Sequence, residues 1–200
     1  MGVTLQRTYV SAANALLEQH LQEVSLLARS IDNELSSLAR VADDTARFLA
    51  IHDDLQEDEI YALLRGNVGS TPLIHGAAVA FEPYQFKEQQ RLFAPYVYDG
   101  DLKAIDISTV AYDYTDGNWD WYSRVQQSGH SGWSEPYVDS GAGNHAMTTW
   151  STPLLRDGSF IGVATVDLRL DELSREIASQ LVDQRFMVMS PSGRFVAHSD

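Results

Sequence analysis

Apolar positions in the first fifty residues recur with a helical period. Leu17, Leu21, Val24, Ile31, Leu35, Leu38, Ala42 and Leu49 follow one another at steps of three, four or seven, with Glu, Gln, Arg and Asp between them. Neither Gly nor Pro interrupts the run from Val3 to Arg65, so the pattern predicts one helix over residues 4–50. About 45 residues rising about 1.5 Å each make a rod of about 65 Å, far longer than a usual globular helix. Such a rod serves as a coiled-coil partner, as a spine for a domain, or as both. A shorter helix is expected over Glu57–Leu64, stopped by Gly66.

The period then changes to two. HGAAVAF (75–81), LFAPYVYD (92–99) and LKAIDI (102–107) read as strands, with Asp99-Gly100 as a two-residue hairpin turn. A short helix is expected over Asn118–Gln127. MTTWSTPLLR, Asp157-Gly158 and SFIGVATVDL then form the clearest hairpin of the chain. Leu170–Val182 returns to helical spacing, and FMVMS, PSG and RFVAHS make a last hairpin over 186–199. Strands that follow one another through hairpins, with helices set apart, predict an α+β fold with a mostly antiparallel sheet. The expected division is a long helix over 1–52, a main lobe over 53–183, and over 184–200 the start of a second, incomplete unit.

Charge narrows the function. The chain carries 28 acidic and 14 basic residues, a net −14, which repels nucleic acid and anionic membranes and draws in cations. It has no cysteine, so neither disulfides nor thiolate metal sites are available. No stretch has the roughly 18 apolar residues of a membrane span, and no signal peptide opens the chain. His20, His52, His75, His130, His145 and His198 show no metal-ligand spacing. GAGNHA (141–146) has the letters of a dinucleotide fingerprint but is followed by the β-rich MTTW rather than a helix, so it reads as a loop. Nothing in the sequence calls for a cofactor.

What stands out is YTDGNWDWY (114–122), with WSEPYVD (133–139) soon after it. The rings of Trp119, Trp121, Tyr122 and Tyr137 could plug a core, with Asp139 capping a turn. They could equally surround an ammonium group, since ring faces and carboxylates both attract a cation. Alternatively, Asp120, Glu135 and Asp139 could form a glycosidase pair beside sugar-stacking tryptophans.

The long N-terminal helix, WSEPYVD, MTTWSTPLLRDGSFIGVATVDLRLDEL and FMVMSPSGRFVAHSD together resemble the double Cache (PAS-like) extracytoplasmic sensor domains of bacterial histidine kinases, chemoreceptors, cyclases and sensor phosphatases. The resemblance implies a long helix packed on a PAS-like antiparallel sheet, which is the membrane-distal ligand-binding lobe, then the start of a membrane-proximal lobe. It implies a periplasmic or extracellular, non-catalytic domain, anchored by membrane spans outside this stretch and dimeric through the N-terminal helix. Amino-acid sensors of this family carry Tyr, four residues, Arg, any residue, Trp-Tyr, then Tyr-x-Asp and a later Asp. Tyr114, Trp121, Tyr122, Tyr137, Asp139 and Asp167 fit that order, and Trp119 stands where the Arg would be. By that resemblance Tyr137, Asp139 and Asp167 hold an amine, while the group that grips a carboxylate is replaced by a neutral ring. The expected ligand is a cationic amine without a carboxylate. A carbohydrate-binding or hydrolytic module, and a ligand-free dimerisation or relay domain, are the other readings.

Overall fold

The computed structural model describes the backbone of residues 2–99, 103–139, 144–181 and 184–199, with side chains from residue 10 onward. Two compact units divide the chain, Met1–Ser37 and Leu38–Asp200. Helix α1 (Gly2–Ile51) runs without a break, as its period predicts. Its part in the first unit leaves Leu16, Leu17, Leu21, Val24 and Leu26 more than half exposed.

In the second unit the rest of α1 is a buried element, with Leu38, Ala42, Ala46 and Leu49 in the core. Polar contacts fix its register on the sheet. Asp43 accepts from Thr152 Oγ1 at 2.5 Å and from Trp150 Nε1 at 3.2 Å, and Arg156 Nη2 donates to the Leu49 carbonyl at 3.1 Å. Helix α2 (Glu57–Val68) starts where the Glu59 carboxylate accepts the Gln56 N–H at 2.7 Å. It does not stop at Gly66 but runs to Val68 and is capped by Gly69. A helical glycine costs about 1 kcal/mol. Burying Val68, which is 4% exposed, returns about 1.5–3 kcal/mol, so the helix continues.

The sheet strands are β1 (Gly76–Phe81), β2 (Pro95–Tyr98), β3 (Lys103–Asp106), β4 (Gly132–Trp133), β5 (Tyr137–Val138), β6 (Ala146–Arg156) and β7 (Ser159–Arg169). They run β3-β2-β1-β7-β6-β4, with β5 also paired to β6, and every pairing is antiparallel. Central β1 is wholly buried, as a strand covered on both faces must be. Asp157 and Gly158 turn the β6–β7 hairpin with φ of 51° and 79°, the two left-handed residues that such a turn requires. The β2–β3 turn is longer than two residues, because Tyr98 pairs with Lys103; Gly100 lies outside the described residues, as do Gly141–Gly143 of GAGNHA. Helices α3 (Ile107–Val110) and α4 (Asp120–Ser128) lie in the connection from β3 to β4, and α5 (Leu170–Gln180) follows β7. A separate two-stranded ribbon, β8 (Met187–Met189) with β9 (Phe195–His198), ends the described chain.

Candidate functional site

Strand register builds the floor of a cavity. One cross-strand row is Ile105, Tyr96, Ala78 and Thr165; the next is Tyr98, Gly76, Asp167 and Thr149. Residues one pleat apart along a strand share a face, so both rows face the same way. The connection from β3 to α4 supplies Ile107, Ala111 and Tyr112, helix α4 supplies Trp121, and β5 with the residue after it supplies Tyr137 and Asp139. Together they line about 370 Å³ of atom-free space, part of it open to solvent.

The polar end of this cavity is organised around Asp167. Thr149 Oγ1 donates to Asp167 Oδ1 at 2.6 Å. A hydroxyl has a single proton, so the Tyr137 hydroxyl, 2.8 Å from the same Thr149 oxygen, is the donor of that second bond. The Tyr96 phenol leans over Gly76, where any Cβ would collide with its ring, and so lies beside Asp167. Its oxygen is buried and lacks a hydrogen bond of good geometry. Asp139 is held at the end of β5, its N–H donating to the His145 carbonyl at 3.1 Å. Both acids are nearly inaccessible, Asp139 at 5% and Asp167 at 6% exposure.

Electrostatics leave this end short of positive charge. No Lys, Arg or His is among the described residues that line the cavity. Burial pushes the Asp167 carboxyl up to about 7; the hydrogen bonds from Thr149 and Tyr96 oppose that shift, and the Asp139 charge adds to it. Burial also raises the Tyr96 and Tyr137 phenols far above their ordinary range, with the Asp167 charge next in importance. A buried carboxylate such as Asp167, with no basic side chain in the described lining, is costly. Such a group takes up a proton or accepts a cationic guest.

Of the residues singled out in the sequence, Trp121, Tyr137, Asp139 and Asp167 come together around this space. Tyr114 and Tyr122 do not line it. They belong to the aromatic core beside it, where the Tyr114 hydroxyl donates to the Phe81 carbonyl at 2.5 Å and the Tyr122 hydroxyl to the Glu82 carboxylate. Trp119 stands behind the lining rather than in it. Its ring stacks on Tyr112 with centroids 3.5 Å apart, and Tyr112 faces the cavity. Asp120 is on the surface near Arg124, and Glu135 is engaged with Ser190 and Ser192, so Asp120, Glu135 and Asp139 do not form one site. No group of three His, Asp or Glu among the described residues is placed to hold a metal ion.

Sequence reasoning missed Tyr96, Tyr112, Thr149 and Thr165. One signal could have found one of them. Thr165, like Asp167, is a polar residue within the otherwise apolar run of β7, and a buried polar group calls for a partner.

Known proteins agree with this architecture. Residues 60–175 match the family model described as methyl-accepting chemotaxis protein-like, first PDC sensor domain. The extracellular domain of soHK1S-Z6, assigned as a histidine kinase, is 34% identical and superposes with a TM-score of 0.79 over 96% of this chain and 74% of its own. The fold is also that of the sensory domain of the Campylobacter jejuni chemoreceptor Tlp3 with isoleucine bound, which is 14% identical with a TM-score of 0.65 over 88% of this chain and 67% of that one. The ligand-binding domain of the Pseudomonas aeruginosa PAO1 chemoreceptor PctC in complex with GABA is 20% identical, with a TM-score of 0.64 over 88% of this chain and 73% of its own. No curated protein sequence matches the chain. No helix of the described residues is long and apolar enough to cross a membrane. A sheet with a buried acidic cavity, a family match over most of that sheet and a relative at one-third identity converge: the chain belongs to the methyl-accepting chemotaxis protein-like, first PDC sensor domain family, a family of receptor sensing domains rather than of enzymes.

Proposed function

We propose that this chain is the extracytoplasmic ligand-sensing domain of a transmembrane receptor, and that its cavity takes a small cationic amine lacking a carboxylate. One observation carries the reading: Asp167 is buried, its carboxyl raised by that burial, in a cavity whose described lining includes no basic side chain. An ammonium group there would receive charge-assisted hydrogen bonds of about 1.5–3 kcal/mol and lie among the rings of Trp121, Tyr137, Tyr96 and Tyr112. The isoleucine held by Tlp3, the GABA held by PctC and the L-serine held by Pseudomonas fluorescens CtaA each carry an amine and a carboxylate. In this cavity the end away from Asp167 is Ile105, Ile107 and Ala111, which suits a hydrocarbon tail better than a second charge.

Ligand binding belongs to the lobe over 53–183, and the domain pairs with a second copy through the N-terminal helix. Support for pairing is the apolar series Leu17, Leu21 and Val24, 58–63% exposed in the first unit, at the spacing of a helix seam. Sedimentation equilibrium of wild type and Leu21→Asp tests it, and a wild-type monomer at high concentration sinks it.

A thermal-shift and calorimetric screen separates the ligand classes. Phenethylamine, putrescine and choline represent amines; L-valine, L-serine and GABA add a carboxylate; glucose represents neutral sugars. Amines are expected to raise the melting temperature by mass action, and Asp139→Asn or Asp167→Asn to weaken binding about 10- to 100-fold. Stabilisation by amino acids or glucose alone, or unchanged amine affinity in both variants, overturns the reading.

A further inference from the structure

The turn between β8 and β9 grips the segment that supplies Tyr137 and Asp139 to the cavity. Ser190 Oγ and Ser192 Oγ both donate to Glu135 Oε2, at 2.6 and 2.7 Å, and Arg194 Nη1 donates to the Pro136 carbonyl at 3.1 Å. The two hydroxyls hold the Glu135 carboxyl below its ordinary range. The turn itself is closed by Ser190 N donating to Arg194 O and Gly193 N donating to Ser190 O, each at 2.9 Å. Its contacts on Glu135 and Pro136 therefore come from an ordered loop.

Among the described residues the gripped segment is otherwise held along β6. Upstream, Ser134 is pinned to β6, where it accepts the Thr149 N–H at its hydroxyl and the Thr148 hydroxyl at its carbonyl. Downstream, β5 pairs with β6 through Tyr137↔Met147 and Val138↔Ala146, extended by the Asp139 N–H to the His145 carbonyl and by the Tyr137–Thr149 hydroxyl bond, a short ladder that gains from outside support. On its other side the hairpin is tied to α5, where the His198 N–H donates to Ser174 Oγ at 3.3 Å. Helix α5 directly follows β7, the strand that carries Asp167. One hairpin thus touches both chain segments that bring a carboxylate to the cavity.

We propose that Glu135 is a positioning residue: the Ser190–Arg194 turn clamps β5 through it, holds Tyr137 and Asp139 at the cavity, and relays occupancy of the cavity to the β8–β9 hairpin. The relay rests on the ligand reading above, whereas the clamp exists without a guest. Coupling between two sites is reciprocal, so whatever stiffens β5 stiffens the turn.

Residue-resolved amide hydrogen exchange on the whole chain tests both parts. Without ligand, Glu135→Ala and Arg194→Ala are each expected to speed exchange at Tyr137 and Asp139, whose amides face β6, about tenfold through local opening, while β1 and β7 keep their wild-type rates. Glu135→Gln retains an acceptor oxygen for both serines and is expected to stay within about twofold of wild type. Unchanged exchange at Tyr137 and Asp139 in both alanine variants overturns the clamp. So does loosening that spreads equally into β1 and β7, which marks a general loss of stability. With saturating phenethylamine, exchange at Ser190 and Gly193 slows in wild type and not in Glu135→Ala. Bound phenethylamine that leaves those two amides unchanged in wild type overturns the relay. Failure of every amine to bind counts against the ligand reading, and the ligand-free rates still decide the clamp.

Discussion

Tyr114 and Tyr122 on one side, and Tyr96 and Tyr137 on the other, pack in the same aromatic region on one face of the sheet. Their hydroxyls differ. Tyr114 and Tyr122 donate to a backbone carbonyl and to the Glu82 carboxylate, so each is a core side chain with its polar tip satisfied. Tyr137 is bound into the Thr149–Asp167 chain, and the Tyr96 oxygen is buried without a good partner beside that same acid. Ring burial is therefore a poor guide to role. What separates core from site is what the hydroxyl meets: a backbone carbonyl or the Glu82 carboxylate for Tyr114 and Tyr122, but the buried Asp167 and its Thr149 partner for Tyr96 and Tyr137.

The comparison breaks most visibly when a core ring is removed. Tyr114→Ala should destabilise the protein by about 3–5 kcal/mol, as for other large aromatic truncations, read as the shift of a urea midpoint at constant slope. A loss below about 1 kcal/mol would mean that Tyr114 is no core residue.

Titration sharpens it next. Asp167 stands at about 7 in the folded chain against 3.8 for the free group. The folded state thus holds a proton that the unfolded state has lost, and stability falls as pH rises from about 4 to 7. His75 works the other way. Burial depresses it to about 4 from 6.5, helped by the Arg169 charge, so stability falls as pH drops through the same interval. The two slopes offset each other in wild type. Asp167→Asn should expose a stability that declines toward acid, and His75→Gln one that declines toward neutral pH, each by on the order of a few kcal/mol across the window. Identical pH profiles in the two variants would contradict these assignments. Amine binding, which needs Asp167 ionised, should tighten as pH rises through 7.

Single-atom changes give the smallest effect and the cleanest contrast. Tyr114→Phe deletes a satisfied hydroxyl and should cost about 1 kcal/mol. Tyr96→Phe deletes a hydroxyl whose interaction with Asp167 falls short of good hydrogen-bond geometry; it should cost the ligand-free protein less than Tyr114→Phe does, push the Asp167 carboxyl further up, and weaken any amine bound beside it. Equal losses from both, followed by thermal unfolding, would erase the distinction between core and site.

Local rules made most of the fold legible. The unbroken heptad-like run predicts α1, alternation predicts β1, β6 and β7, and Asp157-Gly158 predicts the turn that joins the last two. The end of α2 was misjudged because burial of Val68 outweighs the local cost of Gly66. For the site, Trp121, Tyr137, Asp139 and Asp167 follow from a residue pattern along the chain. Tyr114, Trp119 and Tyr122 belong to that pattern too, but their side chains pack into the core or behind Tyr112.

Amino-acid order by itself determined the long helix and the main strands, though not the short α3, β4 and β5, and that the chain carries acids and rings without cysteine or clustered histidine, since period, turn chemistry and charge act over a few neighbouring residues. Only tertiary structure decided that Thr149 lies opposite Asp167, that Gly76 makes room for Tyr96 beside it, and that Glu135 faces a turn 55 residues away. Those juxtapositions depend on strand register and on connections between elements distant in sequence, where a one-residue shift would turn every inward side chain outward.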